Sequence, residues 1–274
     1  MSMTYDANAP AIEPRPNPPL SDSIMEMFSL KGRVAIVCGS ASGIGLAVCE
    51  AFAEAGADVA MWYNSNDAAI ARAAELAKRY GVRAKAYKVG VTAYEPVHKA
   101  VADVVADFGK LDIFVANAGA GMPGGILEQS VDDWHKIVNI NYHGVFYCAK
   151  AAGEVFKKQG KGNLIITSSM SAHIVNVPVD QPCYNSTKAA VTHLGKSLAR
   201  EWREFARVNI VSPGFVKTDM GAAPQVLSEA YRMSVMGRQA DPRELKGAYL
   251  YLASDASTYA TGTDLIIDGG YSLP

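Results

Sequence analysis

Arg33-Val34-Ala35-Ile36-Val37-Cys38-Gly39-Ser40-Ala41-Ser42-Gly43-Ile44-Gly45 decides how the rest of the chain is read. Arg33 to Cys38 is a short, mostly apolar run, the pattern of a strand buried on both faces. The run breaks at the glycines and resumes as Ile44, Val48, Ala51, Phe52 and Ala55, which fall at helical spacing until Gly56. Strand, glycine turn and helix in that order aim backbone N–H groups and a helix N-terminus at one point, where a phosphate can sit. A glycine cluster can also be an ordinary tight turn. Its place between a buried strand and an amphipathic helix favours nucleotide binding, although the spacing is G-x-x-x-G-x-G and not G-x-G-x-x-G.

Downstream, Asp58 to Tyr63 is a second strand, and its tip reads Trp62-Tyr63-Asn64-Ser65-Asn66. Sites that prefer NAD usually end this strand with a carboxylate on the ribose hydroxyls. Here no carboxylate repels a 2′-phosphate, and Asn64 and Ser65 can donate hydrogen bonds to one. NADPH is favoured, although neither Arg nor Lys stands at the tip. The alternation continues with a helix over 68–80, a strand over 83–89, a helix over 95–108 and a strand over 111–116. Next come helical pattern over 134–159, a strand over 163–167, a helix over 184–205 and a strand over 207–211. A loop of small and apolar residues is expected over 215–240, a helix over 242–253 and a last strand over 264–267. Such regular alternation means a doubly wound α/β fold with a parallel sheet of about seven strands. Ligands bind at the carboxyl ends of such strands, where Gly39, Asn117, Ser168, Ser169 and Pro213 fall.

Upstream, residues 1–23 carry five prolines and no hydrophobic period, which reads as an extended, flexible arm ahead of one domain over 24–274. The arm is either solvated, the favoured reading, or laid against a neighbouring subunit; Met27-Phe28-Ser29-Leu30 offers apolar residues to pin it. With 26 Lys and Arg against 27 Asp and Glu, the net charge of −1 gives no basic footprint for nucleic acid. Cys38, Cys49, Cys148 and Cys183 lack metal-ligand spacing, so no metal site is expected, and buried free thiols in a reducing compartment are. No apolar run is long enough to span a bilayer and no signal peptide opens the chain, so a soluble, cytoplasmic protein without a membrane partner is expected.

Ser168-Ser169-Met170-Ser171 and Tyr184-Asn185-Ser186-Thr187-Lys188 can bring a hydroxyl, a phenol and an ammonium to one point. Tyr184 and Lys188 lie four apart, hence on one helix face. A lysine there favours the phenolate and would move the tyrosine from its usual pKa of about 10 toward the working pH. Such a tyrosine can protonate a carbonyl oxygen or deprotonate an alcohol. The pair alone is also what any helix with a Tyr and a Lys on one flank presents.

Gly39-x-x-x-Gly43-Ile44-Gly45, Asn117-Ala118-Gly119, Asn141, Ser169, Tyr184-x-x-x-Lys188, Ser212-Pro213-Gly214 and Asp268-Gly269-Gly270 occur in one order and spacing. In this the chain resembles the short-chain dehydrogenase/reductase family over nearly its whole length after the arm. It is similar above all to the branch of NADPH-dependent mannitol dehydrogenases, sorbose and xylulose reductases and yeast carbonyl reductases. The passages that carry this are Phe28-Ser29-Leu30-Lys31-Gly32, Ile166-Thr167-Ser168-Ser169-Met170-Ser171, Phe205-Ala206-Arg207-Val208-Asn209 and Ile267-Asp268-Gly269-Gly270-Tyr271.

The resemblance implies a single Rossmann domain that reversibly reduces a carbonyl with hydride from NADPH. Tyr184 would protonate the oxygen and Ser169 would hydrogen-bond it. Lys188 would depress the Tyr184 pKa and hold the nicotinamide ribose, and Asn141 would fix a water that relays protons. The family's N-x-x-G pattern, completed by Gly144, selects Asn141 over Asn139. Ser171 stands thirteen residues before Tyr184, a separation common in the wider family. Ser169 stands fifteen before it, as in this branch, and is the choice. Implied cofactor contacts are Gly39, Ser40, Ser42, Gly43, Ile44, Gly45, Tyr63, Asn64, Ser65, Gly90, Val91, Asn117, Ala118, Gly119, Tyr184, Lys188, Pro213, Gly214, Val216 and Thr218. Cys38 departs from the family's Thr, weakening a hydrogen bond that ties the glycine loop. Gly90 and Val91 replace the Asp or Asn that usually meets the adenine, so a backbone contact must substitute.

Ser171 and His173 are the candidate substrate contacts. With Asn176, Asp180 and Gln181 they make the loop before Tyr184 polar, which favours a ketose of sorbose, fructose or xylulose type over an apolar ketone, the alternative within the branch. A non-catalytic nucleotide-binding scaffold would predict a broken site, whereas Asn, Ser, Tyr and Lys are all present. The family is usually tetrameric, so a homotetramer is expected. The apolar helix over 244–253 and the tail over 271–274 could serve an interface or the core.

Overall fold

In the computed structural model, which describes residues 13–273, a single helical turn α1 (Ile24–Met27) precedes the sheet and is capped by Ser23. It leads Leu30 into full burial, while Met27 and Phe28 are half-buried. The apolar run becomes β1 (Val34–Cys38), buried along its whole length. Alternation then runs through α2 (Gly43–Glu54), β2 (Asp58–Tyr63), α3 (Ala68–Tyr80), β3 (Ala84–Lys88), α4 (Tyr94–Phe108) and β4 (Ile113–Ala116). It continues through α5 (Val131–Val138), α6 (Gly144–Gln159), β5 (Asn163–Thr167), α7 (Pro182–Glu201), β6 (Arg207–Pro213), α8 (Pro224–Met233), α9 (Lys246–Ala253) and β7 (Asp264–Ile267).

Among the described residues the strands form one parallel seven-stranded sheet in the order β3-β2-β1-β4-β5-β6-β7. The order reverses at β1, so the β1–β4 junction is the topological switch point, where a crevice opens at the carboxyl edge. Successive side chains face opposite ways, which separates two apolar layers. Val34, Ile36 and Cys38 meet α4, α6 and α7 through Val101, Val104, Cys148, Phe156 and Val191. Ala35 and Val37 meet α2, α3 and α9 through Val48, Phe52, Leu76, Tyr249 and Leu252. All four cysteines are buried and free.

The structure departs from the expected elements in several places. The helical pattern over 134–159 is interrupted by one π-helical turn, Asn139–His143, between α5 and α6. The loop expected over 215–240 contains α8, which starts with Pro224 in its first turn and carries Val226, Leu227 and Ala230 at helical spacing. The expected 184–205 helix starts at Pro182 and ends at Glu201. Of the expected arm, residues 1–12 lie outside the described residues. Residues 13–20 are exposed, and Arg15 donates to Arg203 O (2.6 Å) and to Glu204 Oε1 (2.5 Å) beyond the end of α7.

Candidate active site

Strand alternation at the end of β5 distributes three hydroxyls. Thr167 turns toward α9, its Oγ1 2.7 Å from the Tyr249 hydroxyl. Ser168 turns toward α7, donating to Lys188 O (3.1 Å) and lying 2.6 Å from Thr192 Oγ1. Ser169 opens on the cavity and caps the 3₁₀ turn Met170–Ala172, its Oγ accepting from Ser171 N (3.1 Å).

One helical turn separates Tyr184 from Lys188 on α7, and both line the same cavity as Ser169. Lys188 is buried and donates from Nζ to Thr167 O at 3.0 Å. Loss of hydration lowers its pKa to about 8. Burial raises the Tyr184 phenol above its ordinary value, and the Ser169 hydroxyl pulls it back down. The expected downward pull from Lys188 is not what this geometry provides. Its ammonium lies over the phenol ring, 5.6 Å from the centroid, and is engaged by Thr167 O.

The π-helical turn rotates Asn141 into full burial. Asn141 Oδ1 accepts from Ala120 N (2.8 Å), and Nδ2 donates to Ala120 O (2.9 Å) and to Thr187 Oγ1 (3.1 Å). The side chain thus fastens the segment after Gly119 to α7, behind Lys188 and outside the cavity wall. Gly144 completes the pattern because a Cβ there would lie 2.9 Å from Val91 Cγ2.

The cavity, of about 770 Å³, lies at the switch point. Gly39, Ser42, Gly43, Ile44 and Gly45 form one side, with Asn117, Ala118, Gly119, Pro213, Gly214, Val216 and Thr218. Gly39 and Gly43 have positive φ (+66° and +57°). Ser42, the N-cap of α2, makes no side-chain capping bond, so the N–H groups a first helical turn leaves unpaired face the cavity. Uncapped donors at a helix N-terminus, on a glycine turn, fit the pyrophosphate of a dinucleotide.

Several expected residues lie elsewhere. Ser40 is fully buried, and both its N–H (3.0 Å) and its hydroxyl (3.1 Å) reach Trp62 O, so it ties the loop to β2 instead of meeting a ligand. Together with Asn117 Nδ2, which donates to Cys38 O (2.9 Å), it supplies the fastening that Cys38 cannot. Cys38 packs near Cys148, their sulfurs 3.9 Å apart. His173 does not line the cavity: its Nε2 lies 2.8 Å from Asp264 Oδ2, and Asp264 also accepts from Ser212 Oγ (2.7 Å). It staples the loop to β6 and β7. Tyr63, Asn64, Ser65, Gly90 and Val91 lie at the tips of β2 and β3, outside the cavity lining, where a Cβ on Gly90 would stand 3.4 Å from Asn64 Oδ1. Sequence reasoning passed over Met122, Pro123, Met220 and Val226, which give the cavity an apolar side. Only the helical spacing around Val226 could have marked one of them.

The family model described as enoyl-(acyl carrier protein) reductase matches residues 39–272. A probable NADP-dependent mannitol dehydrogenase of Yarrowia lipolytica is 53% identical over 95% of this chain and 95% of its own length. Sorbose reductase of Candida albicans is 52% identical over 97% of this chain and 96% of its own. Among solved structures, NADPH-dependent 3-quinuclidinone reductase from Rhodotorula rubra superposes with a TM-score of 0.94 at 52% identity, covering 96% of this chain and 100% of that one. On these matches, which span nearly the whole of each protein, the chain belongs to the short-chain dehydrogenase/reductase family.

Proposed function

We propose that this protein is an NADP(H)-dependent oxidoreductase that reversibly reduces a sugar ketose, of sorbose, fructose or xylulose type, to its polyol. One observation carries the reading: Ser169, Tyr184 and Lys188 line the same cavity as the uncapped glycine cradle of α2. Relatives named for mannitol and sorbose, at about half identity, supply the substrate class.

NADP(H), when bound, supplies hydride in reduction and accepts it in oxidation. Gly39, Ser42, Gly43, Ile44 and Gly45 hold its pyrophosphate, Tyr63, Asn64 and Ser65 the phosphorylated ribose, and Gly90 and Val91 the adenine. Asn117, Ala118, Gly119, Pro213, Gly214, Val216 and Thr218 enclose the nicotinamide side. Tyr184 gives its phenolic proton to the carbonyl oxygen of the ketose. Ser169 donates a hydrogen bond to the same oxygen and stabilises the charge that develops there. Lys188 holds the nicotinamide ribose, and the Ser169 hydroxyl favours the phenolate that Tyr184 becomes. Asn141 keeps the Ala120 backbone in place beside a water through which the proton is restored.

A second reading, reduction of a ketone without hydroxyl groups, draws on the quinuclidinone reductase likeness and on the apolar side of the cavity. Initial rates with NADPH and NADH, against L-sorbose, D-fructose, xylulose and cyclohexanone, separate the two. The expected outcome is ketose turnover with NADPH, abolished by Tyr184→Phe. Turnover of cyclohexanone alone would transfer the assignment to the second reading, and faster rates with NADH would overturn the cofactor assignment.

The enzyme works in the cytoplasm as a homotetramer, with one domain over 24–274. Family resemblance supports the assembly, as do exposed Ile266 and Leu273 beside the open edge strand β7. The core claims Tyr249, Leu252 and Ala253 of α9, which leaves that face of the helix out of any interface. Among the described residues no helix is long and apolar enough to cross a membrane.

A further inference from the structure

Between Ser169 and Tyr184 the cavity wall carries a polar cluster that the proton-transfer chemistry leaves unused. Ser171 Oγ donates to Asn176 Oδ1 (2.7 Å), and Gln181 Nε2 donates to the same oxygen (2.9 Å) and to Asn185 Oδ1 (3.2 Å). Ser171 is 5% exposed and Asn176 6%, and Ser171, Asn176 and Gln181 all line the cavity. Two donors on Oδ1 set the orientation of the Asn176 amide. Among the described residues its Nδ2 has no hydrogen-bond partner, nor has Gln181 Oε1. Both residues line the cavity, so these two groups are open to it and free to pair with a ligand there.

The segment carrying Asn176 is held from outside the cavity. Tyr271, near the C-terminus, is buried; its hydroxyl donates to Val177 O (3.0 Å) and accepts from Val177 N (3.2 Å). Its ring packs with Met170 and Ile174 of the same loop and with Phe215.

We propose that Asn176 and Gln181 form a hydroxyl-recognition subsite beside the reacting carbonyl, Asn176 Nδ2 donating to one substrate hydroxyl and Gln181 Oε1 accepting from another. Ser171 orients Asn176 from behind, and Tyr271 is a positioning residue for the segment. This deepens the ketose reading and rests on it. It selects polyhydroxy carbonyl compounds over ketones of similar bulk that lack hydroxyls, because only the former pair both amide groups.

The test compares kcat and KM of the full-length enzyme with NADPH, for L-sorbose and for cyclohexanone, in wild type, Asn176→Leu, Gln181→Leu and Tyr271→Phe. Either leucine variant is expected to lower kcat/KM for sorbose by about 10- to 100-fold and to change that for cyclohexanone by less than about threefold. Tyr271→Phe is expected to raise the sorbose KM selectively, whereas a merely structural role would depress both substrates alike. Asn176→Asp, which keeps size and the Oδ1 acceptor but removes the Nδ2 donor, is expected to show the same selective loss even if a leucine variant fails to fold. Equal losses on both substrates, or unchanged sorbose kinetics, overturn the subsite and leave the ketose reading standing. A wild-type enzyme that reduces cyclohexanone but no ketose overturns the ketose reading, and the subsite with it.

Discussion

The ammonium of Lys188 exchanges its water shell for one hydrogen bond to Thr167 O and the surface of the Tyr184 ring. Burial therefore brings its proton affinity down from the usual lysine range to a pKa of about 8. In the unfolded chain the same group stays protonated to about pH 10. Between those values the unfolded state binds more protons, so this residue's contribution to stability rises with pH through the window. Below pH 8 both states are charged, and the desolvation penalty is fully present. Chemical unfolding of the cofactor-free protein and of Lys188→Met, at about pH 7 and pH 9.5, is expected to show the wild type gaining on the variant by up to about 2 kcal/mol. Comparison with the variant cancels the buried Cys38, Cys49 and Tyr249, whose raised pKa values act in the opposite direction. A difference that does not change with pH would mean that the ammonium is solvated. At this scale the Tyr184–Lys188 spacing was legible because four residues on a helix fix a shared face. The destinations of Ser40 and His173 were not, since Trp62 O and Asp264 come from distant strands.

Tightness of the β1–α2 connection governs the cofactor site at the level of elements. A Cβ on Gly45 would stand 2.2 Å from Gly39 O and 2.8 Å from Asn117 Nδ2. Backbone cannot give way there without moving the turn that presents the α2 N-terminus. Gly45→Ala is therefore expected to destabilise the protein by about 1–3 kcal/mol and to weaken NADPH binding by about tenfold or more, read by thermal melting and by fluorescence titration with NADPH. Unaltered NADPH affinity would show that the cradle does not bind through this turn. The glycines were legible in sequence because their spacing is local. The π-helical turn was not, because an added residue in a helical turn leaves the apolar period on both sides nearly intact. α8 was passed over because its apolar residues sit among the small ones of a loop.

Across the whole molecule, the two helix layers meet at the end of β5. Tyr249 of α9, on one face of the sheet, pairs with Thr167, whose backbone carbonyl takes the Lys188 ammonium of α7 on the other. Removing the hydroxyl in Tyr249→Phe leaves Thr167 Oγ1 buried without that partner, at about 1–3 kcal/mol in unfolding free energy. The same variant is expected to lower kcat more than it changes KM, since the pair acts on Lys188 through β5. Steady-state kinetics beside thermal unfolding would check this. Lost stability with unchanged kcat would confine Tyr249 to the core.

Strand and helix periods, the glycine turn and the Tyr–Lys spacing are short-range properties, and the amino-acid sequence by itself determined the doubly wound fold, the cofactor edge and the catalytic helix. The tertiary structure alone decided which polar groups end up with partners. Tyr271 with Val177, His173 with Asp264 and Asn163 with Leu252 O join residues roughly ninety positions apart. Such pairings depend on the path of the backbone, which no local period records. For the same reason Asn176 and Gln181 read in sequence as generic loop polarity. Only folding, by spending Oδ1 on two neighbours and leaving the opposite amide groups toward the cavity, turned them into a candidate for recognising hydroxyls.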